Sequence, residues 1–208
     1  MSKRSPALMA LVLVLLILSS CGPRTLSPQA YQEFVISSLQ GDTGEASQKS
    51  SSLPGLVPAV ERLFASFYCA ESVCTMPSEL SYLSEVADFE SSVVEEHRSR
   101  ICEGKRKIRP PQELAADHEK ICKLLAMIRS SIEAIQITSQ VGAQLLAQSM
   151  GDPETLKRTA ENYSRKIMEQ KSRIVEALRQ IQRIPWLKMI FNDTKIPELN
   201  EQGAGGGN

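Results

Sequence analysis

Between residues 114 and 149 an apolar or small residue returns at every seventh position: Leu114, Ile121, Ile128, Ile135, Gly142 and Ser149. A second line runs four residues behind it through His118, Leu125, Ile132, Ser139 and Leu146. A strand alternates with a period of two, so this spacing belongs to a helix that shows one continuous seam to a partner. Held for about five heptads, the seam requires another long helix packed along it. The spacing predicts a helix over 112–149, on the order of 55 Å long at 1.5 Å per residue.

The partner follows directly. Gly151 ends the long helix, and Asp152-Pro153-Glu154 starts the next with a capping side chain, a proline in the first turn and an acidic residue at the positive end of the dipole. Leu156, Ala160, Tyr163, Ile167, Ile174, Leu178 and Ile181 then fall inward, and Pro185 closes the segment. So short a connection makes the two helices an antiparallel hairpin. The apolar stretch Trp186, Leu187, Met189, Ile190 and Phe191 is expected to fold back on the bundle, and the glycine-rich tail over 192–208 to be disordered.

Three shorter helices are read upstream. Residues 25–40 begin with Ser27 as cap and Pro28 behind it, with Tyr31, Phe34, Val35, Ser38 and Leu39 on one face. Residues 41–52 are polar and rich in Gly and Ser, a flexible linker by composition. A second helix opens at Pro54-Gly55 and carries Val57, Val60, Leu63, Phe64 and Phe67. Pro77 starts a third, for which Tyr82, Val86, Phe89 and Val93 give an inward line reaching toward His97 to Cys102. Pro110-Pro111 forbid its continuation. The expected fold is therefore all-α: an elongated helical bundle with a long antiparallel helical hairpin, stapled by disulfides.

Of the five cysteines in the 208-residue chain, Cys69, Cys74, Cys102 and Cys122 are candidates for two disulfides. Cys74 and Cys102 sit at opposite ends of the third helix, about 35 Å or more apart, whereas a disulfide spans roughly 4.4–6.8 Å between Cα atoms. Geometry therefore favours Cys69 with Cys74 and Cys102 with Cys122. A metal site competes for the same sulfurs. The only two histidines, His97 and His118, lie near Cys102 and Cys122 in sequence, and His118 with Cys122 has an i, i+4 spacing common among metal ligands. Against a Cys2His2 set, His97 and Cys102 diverge on a helix, so the reading for His97 is a surface residue and for His118 a partly buried seam residue.

Arg98, Arg100, Lys105, Arg106, Lys107 and Arg109 cluster around Cys102, with Glu103 the acidic residue read against them. Two readings stand: a solvated loop tip, or a basic patch that docks on an anionic surface. The chain as a whole is electrically balanced, with 24 basic and 24 acidic side chains, and nothing in it calls for nucleic acid. GxSxG, P-loop, HExxH and dinucleotide fingerprints are absent from the sequence, so no catalytic activity and no cofactor are expected.

The N-terminus carries the strongest address. Lys3 and Arg4 precede an apolar run over 7–18, long enough for a signal-peptide core and too short to span a bilayer, and the run leads into Leu18-Ser19-Ser20-Cys21. This leader resembles the lipobox signal of bacterial lipoproteins. The resemblance implies cleavage before Cys21, lipidation of its sulfur, and residence in the bacterial cell envelope, with Gly22 leaning toward the outer membrane. A secretory signal cut nearby, or an uncleaved anchor, would instead leave Cys21 unmodified. The expected organisation is a signal peptide over 1–20, a lipidated N-terminus with short helix and linker over 21–56, a helical bundle domain over 57–191, and the tail. The expected role is a membrane-anchored interaction or scaffold module, meeting another envelope protein or a second copy along the hairpin. A ligand- or metal-binding bundle is the alternative.

Overall fold

A computed structural model describes residues 24–41, 53–67, 70, 74–103 and 108–200. Five helices of ten residues or more form the body: α1 (Pro28–Gln40), α2 (Leu56–Ala65), α3 (Pro77–Cys102), α4 (Ala115–Ser149) and α5 (Pro153–Gln182). Short 3-10 segments, Gln112–Leu114 and Pro185–Phe191, precede α4 and follow α5, and a single turn, α6 (Pro197–Asn200), comes last. The fold is an elongated all-α bundle, as the heptad seam requires.

The helix starts follow local chemistry. Ser27 Oγ accepts from the Ala30 N–H at 3.3 Å, with Pro28 in the first turn of α1. Asp152 caps α5 by accepting from the N–H groups of Glu154 and Thr155. Each such contact satisfies a backbone donor that has no partner inside its own helix.

Helices α3, α4 and α5 run up, down and up. The α3–α4 pairing is fixed by contacts in antiparallel register: Ser84 Oγ donates to the Gln136 carbonyl, Gln136 Nε2 to Asp88, Arg129 bridges to Glu95, and Cys102 joins Cys122. Both seam lines point inward over most of their length: Ile121, Leu125, Ile128, Ile132, Ile135, Ser139, Gly142 and Leu146 are buried, while the terminal positions Leu114, His118 and Ser149 are half-buried. Each fully buried Leu or Ile contributes about 1.5–3 kcal/mol, so the seam is a large share of what holds the rod together. At Gly142 the three helices pack tightly: a methyl there would lie 2.8 Å from Leu80 on α3 and 3.0 Å from Tyr163 on α5.

Three expectations are corrected by the packing. The inward line of α3 is Leu80, Leu83, Ala87, Glu90, Val94, His97 and Ile101, not the aromatic one. Of the four residues read inward, Val93 is buried and Val86 half-buried, whereas Tyr82 and Phe89 are 52% and 58% exposed. The true line also runs at heptad spacing, but it includes an Ala, a Glu and a His, whose burial depends on partners from elsewhere in the chain. Arg62 on α2 supplies the one for Glu90, with a two-pronged bridge at 2.7 and 2.8 Å.

Second, the bundle does not begin near residue 57. Tyr31, Val35 and Leu39 of α1 are buried in the same apolar core as α2 to α5. The linker expected over 41–52 lies mostly outside the described residues, but its two flanks meet. A methyl on Gly41, which adopts φ 78°, would sit 2.4 Å from the Leu53 carbonyl, and one on Gly55 2.4 Å from the Gln40 carbonyl. The end of α1 and the chain entering α2 therefore lie against each other.

Third, residues 192–200 are packed. Thr194, Ile196 and Leu199 are buried, Glu61 on α2 accepts from the Thr194 hydroxyl and the Lys195 N–H, and Arg179 donates to the Glu198 carbonyl at 2.9 Å. The glycine-rich residues 201–208 lie outside the described residues.

Candidate functional site

The chemistry-bearing residues gather at the end of the rod where α3 turns into α4. Cys102, the last residue of α3, and Cys122, two turns into α4, form a disulfide with Cα atoms 5.7 Å apart. It closes a loop of about twenty residues, worth about 3 kcal/mol by the loop-entropy argument. Both cysteines are half-buried. Their bonding overturns the metal set, because a disulfide sulfur is no thiolate ligand. Cys74 is also disulfide-bonded; Cys69, its expected partner, lies outside the described residues.

The histidines take different places. His97 is wholly buried in the middle of the core, not on the surface. Its Nε2–H donates to the Pro54 carbonyl at 2.9 Å, which joins α3 to the chain entering α2. Burial is the largest influence on its pKa and lowers it, so the ring is held neutral. His118 is the half-buried seam residue expected, and its two ring nitrogens are both engaged. Tyr31 Oη lies 2.5 Å from Nδ1, and Cys122 Sγ lies 3.7 Å from Nε2.

A disulfide sulfur has no hydrogen to donate. The His118–Cys122 contact is therefore a hydrogen bond only when Nε2 carries the proton, which leaves Nδ1 as the acceptor of the Tyr31 hydroxyl. Burial pushes the Tyr31 phenol up to about 12, so it keeps its proton, and burial lowers the pKa of His118, favouring the neutral ring this assignment needs. Close by, Trp186 Nε1–H donates to Asp117 at 2.9 Å and ties the returning 3-10 segment to the first turns of α4.

The same end carries a two-residue parallel pairing that the sequence reading does not contain. β1 (Arg24–Thr25) lies beside β2 (Ile108–Arg109), in register Arg24 to Ile108 and Thr25 to Arg109. Residues this short carry no alternating pattern from which a strand is legible. The chain before α1 is thereby fastened to the loop that the disulfide closes.

Among the described residues, two arginines of the basic cluster are paired with carboxylates. Arg98 pairs with Glu95 at 2.7 Å and with Glu103, and Arg100 with Glu96 at 3.0 Å. Glu95 also receives Arg129 from α4, and these arginines hold its carboxyl below the ordinary carboxylate range. Arg98 and Arg100 therefore serve the α3 surface and the α3–α4 contact. Arg109 is exposed, while Lys105, Arg106 and Lys107 lie outside the described residues.

Sequence reasoning missed Tyr31 as a partner of His118, Glu90 as a buried carboxylate and Asp117 as a receptor for Trp186. The heptad step from Leu83 through Glu90 to His97 was the one signal available for Glu90. Among the described residues no helix is long and apolar enough to cross a membrane, and no group of three or more His, Cys, Asp or Glu side chains is placed to hold a metal ion. Compared with protein-family models, curated proteins and solved structures, the chain matches none of them.

Proposed function

We propose that this protein is a lipid-anchored envelope lipoprotein that acts as a non-catalytic helical spacer and interaction module, held to the membrane through Cys21. The observation that carries this reading is the leader that ends in Leu18-Ser19-Ser20-Cys21, and the pairing of Arg24–Thr25 with Ile108–Arg109 sets the geometry it would have. A chain attached through Cys21 has three residues before that pairing, a reach of about 10 Å at most. With the linker flanks closed on each other, the tether is this N-terminal stretch. The disulfide end of the rod then faces the membrane, and the α4–α5 turn stands away from it by about 50 Å, the length of a 35-residue helix.

The outward end and flank of the hairpin provide the contact surface. Ile137, Val141 and Leu145 recur every four residues on α4 and are 60%, 40% and 37% exposed, a narrow apolar stripe on its outer face. Gly22 favours the outer membrane over the plasma membrane as the site of the anchor.

Metabolic labelling with an alkyne-bearing palmitate, followed by detergent phase partitioning, tests the anchor. The native chain should carry label and enter the detergent phase, and Cys21→Ala should carry none and stay aqueous. A secreted product that begins elsewhere, or a native chain that partitions into water, would overturn the reading. Cross-linking in intact envelopes then tests the module, which should yield either a defined partner or a homo-oligomer. A strictly monomeric protein that captures nothing would remove the interaction role.

A further inference from the structure

We propose that the Cys102–Cys122 disulfide is a thiol-exchange site with a built-in direction, in which an incoming thiolate attacks Cys102 and Cys122 leaves toward His118. The reductant is a dithiol, small or carried by a protein. This inference is independent of the anchor and concerns only groups at the end of α3 and the start of α4.

The argument rests on the hydrogen-bond chain from Tyr31 through His118 to Cys122. The Tyr31 hydroxyl fixes the imidazole tautomer, and the tautomer aims an N–H at one sulfur of the pair, 3.7 Å away. Thiol–disulfide exchange is fastest when the departing sulfur is the one best able to carry negative charge. A hydrogen bond to an ionised sulfur is stronger than one to a neutral sulfur, so the contact gains strength as the S–S bond breaks. Among the described residues nothing comparable is aimed at Cys102. Both residues are half-buried and not sealed within the core.

The balance is that of ordinary exchange. The first thiolate of the dithiol forms an S–S bond to Cys102 as the Cys102–Cys122 bond breaks, and the electron pair leaves on Cys122. The second thiolate of the dithiol then attacks its own sulfur in that mixed disulfide and releases Cys102 as a thiolate. Two electrons pass to the chain, the dithiol becomes a disulfide, and the two protons it loses are available to the new cysteine thiolates. Opening the bond removes the covalent closure of the segment that carries β2, the partner of β1.

The test uses the full oxidised chain in detergent, with reduced glutathione as a single-thiol probe that stops at the first step. After brief reaction, iodoacetamide traps the free thiol and peptide mass spectrometry locates both modifications; Cys102 and Cys122 fall on separate tryptic peptides. The expected result is glutathione predominantly on Cys102 and the alkyl group on Cys122. His118→Ala should remove the preference and slow the reaction about ten-fold, the scale of one hydrogen bond to a charged group. Tyr31→Phe, which keeps the ring and frees the tautomer, should lower the preference part way, and a helical circular dichroism spectrum confirms that each variant is folded. An even split in the native chain, preferential glutathione on Cys122, or the native preference persisting in folded His118→Ala would overturn the proposal.

Discussion

Replacing Gly142 by alanine offers the sharpest test of how the three long helices meet. In an isolated helix the change would be favourable by about 0.8–1.0 kcal/mol, because glycine loses more backbone freedom than alanine. Here the added methyl would lie 2.8 Å from Leu80 Cδ1, 3.0 Å from Tyr163 Cγ and 3.1 Å from its Cδ1. All three are well inside ordinary carbon–carbon contact of about 3.5–4.0 Å. The Leu80 methyl ends a flexible side chain, but Leu80 is wholly buried and the Tyr163 ring is nearly so, so both must push into neighbours. Overpacking of this kind costs about 1–3 kcal/mol, and the net expectation is a loss of about 1 kcal/mol. Gly151 is the control. Nothing lies within 4 Å of the same methyl there, and its backbone is not left-handed, so Gly151→Ala should be neutral or stabilise by about 0.4–1 kcal/mol. Urea titrations followed by circular dichroism give both values. Adding Leu80→Val to Gly142→Ala should give a combined loss smaller than the sum of the two, since the shorter side chain vacates the contested space. A Gly142→Ala protein as stable as the native one would refute the three-helix contact, and so would strict additivity with Leu80→Val.

The Arg62–Glu90 pair should respond asymmetrically, because the Glu90 side chain is 3% exposed and that of Arg62 44%. Arg62→Ala strands a buried carboxylate and should cost about 2–3 kcal/mol, after allowance for the exposed half of the pair, whereas Glu90→Ala leaves a guanidinium that can reach water and should cost less. Chemical denaturation of the two variants checks this, and a reversed order would show that Glu90 is not the buried partner. Stability should also fall on acidification. His97 and His118 both have folded pKa values below that of the unfolded chain, so the unfolded state takes up protons first as pH drops through about 6.5, and the stability their neutral forms provide is lost from there down through the folded values. His97 has Glu96 and Arg100 as its charged neighbours, and burial outweighs both. Melting temperature measured between pH 7.5 and 5 should show a shallower slope in His97→Gln, and an unchanged slope would remove His97 from the account. Below about pH 4.5 the lowered carboxyls of Glu95, Glu103, Glu119 and Asp152 add a second loss.

The sequence by itself determined the parts that local periodicity and punctuation control. The seam from Ile121 to Leu146 specified a long helix and a partner, and Gly151-Asp152-Pro153 specified that the partner returns at once, since a cap, a proline and a helix stop act over a few residues whatever surrounds them. Helix stiffness ruled out Cys74 with Cys102 and so favoured the Cys102–Cys122 bond, which the structure then shows. Only the tertiary structure decided which of two heptad lines on α3 turns inward, because Glu90 and His97 are tolerable there only when Arg62 and the Pro54 carbonyl arrive from α2 and the chain before it. It alone decided that α1 belongs to the core and that residues 192–200 dock against α2 and α5, since burial of a short segment depends on a surface built elsewhere. Tyr31, His118 and Cys122 meet for the same reason: Tyr31 and His118 are 87 residues apart in sequence, and no pattern within either segment encodes the distance between them in space.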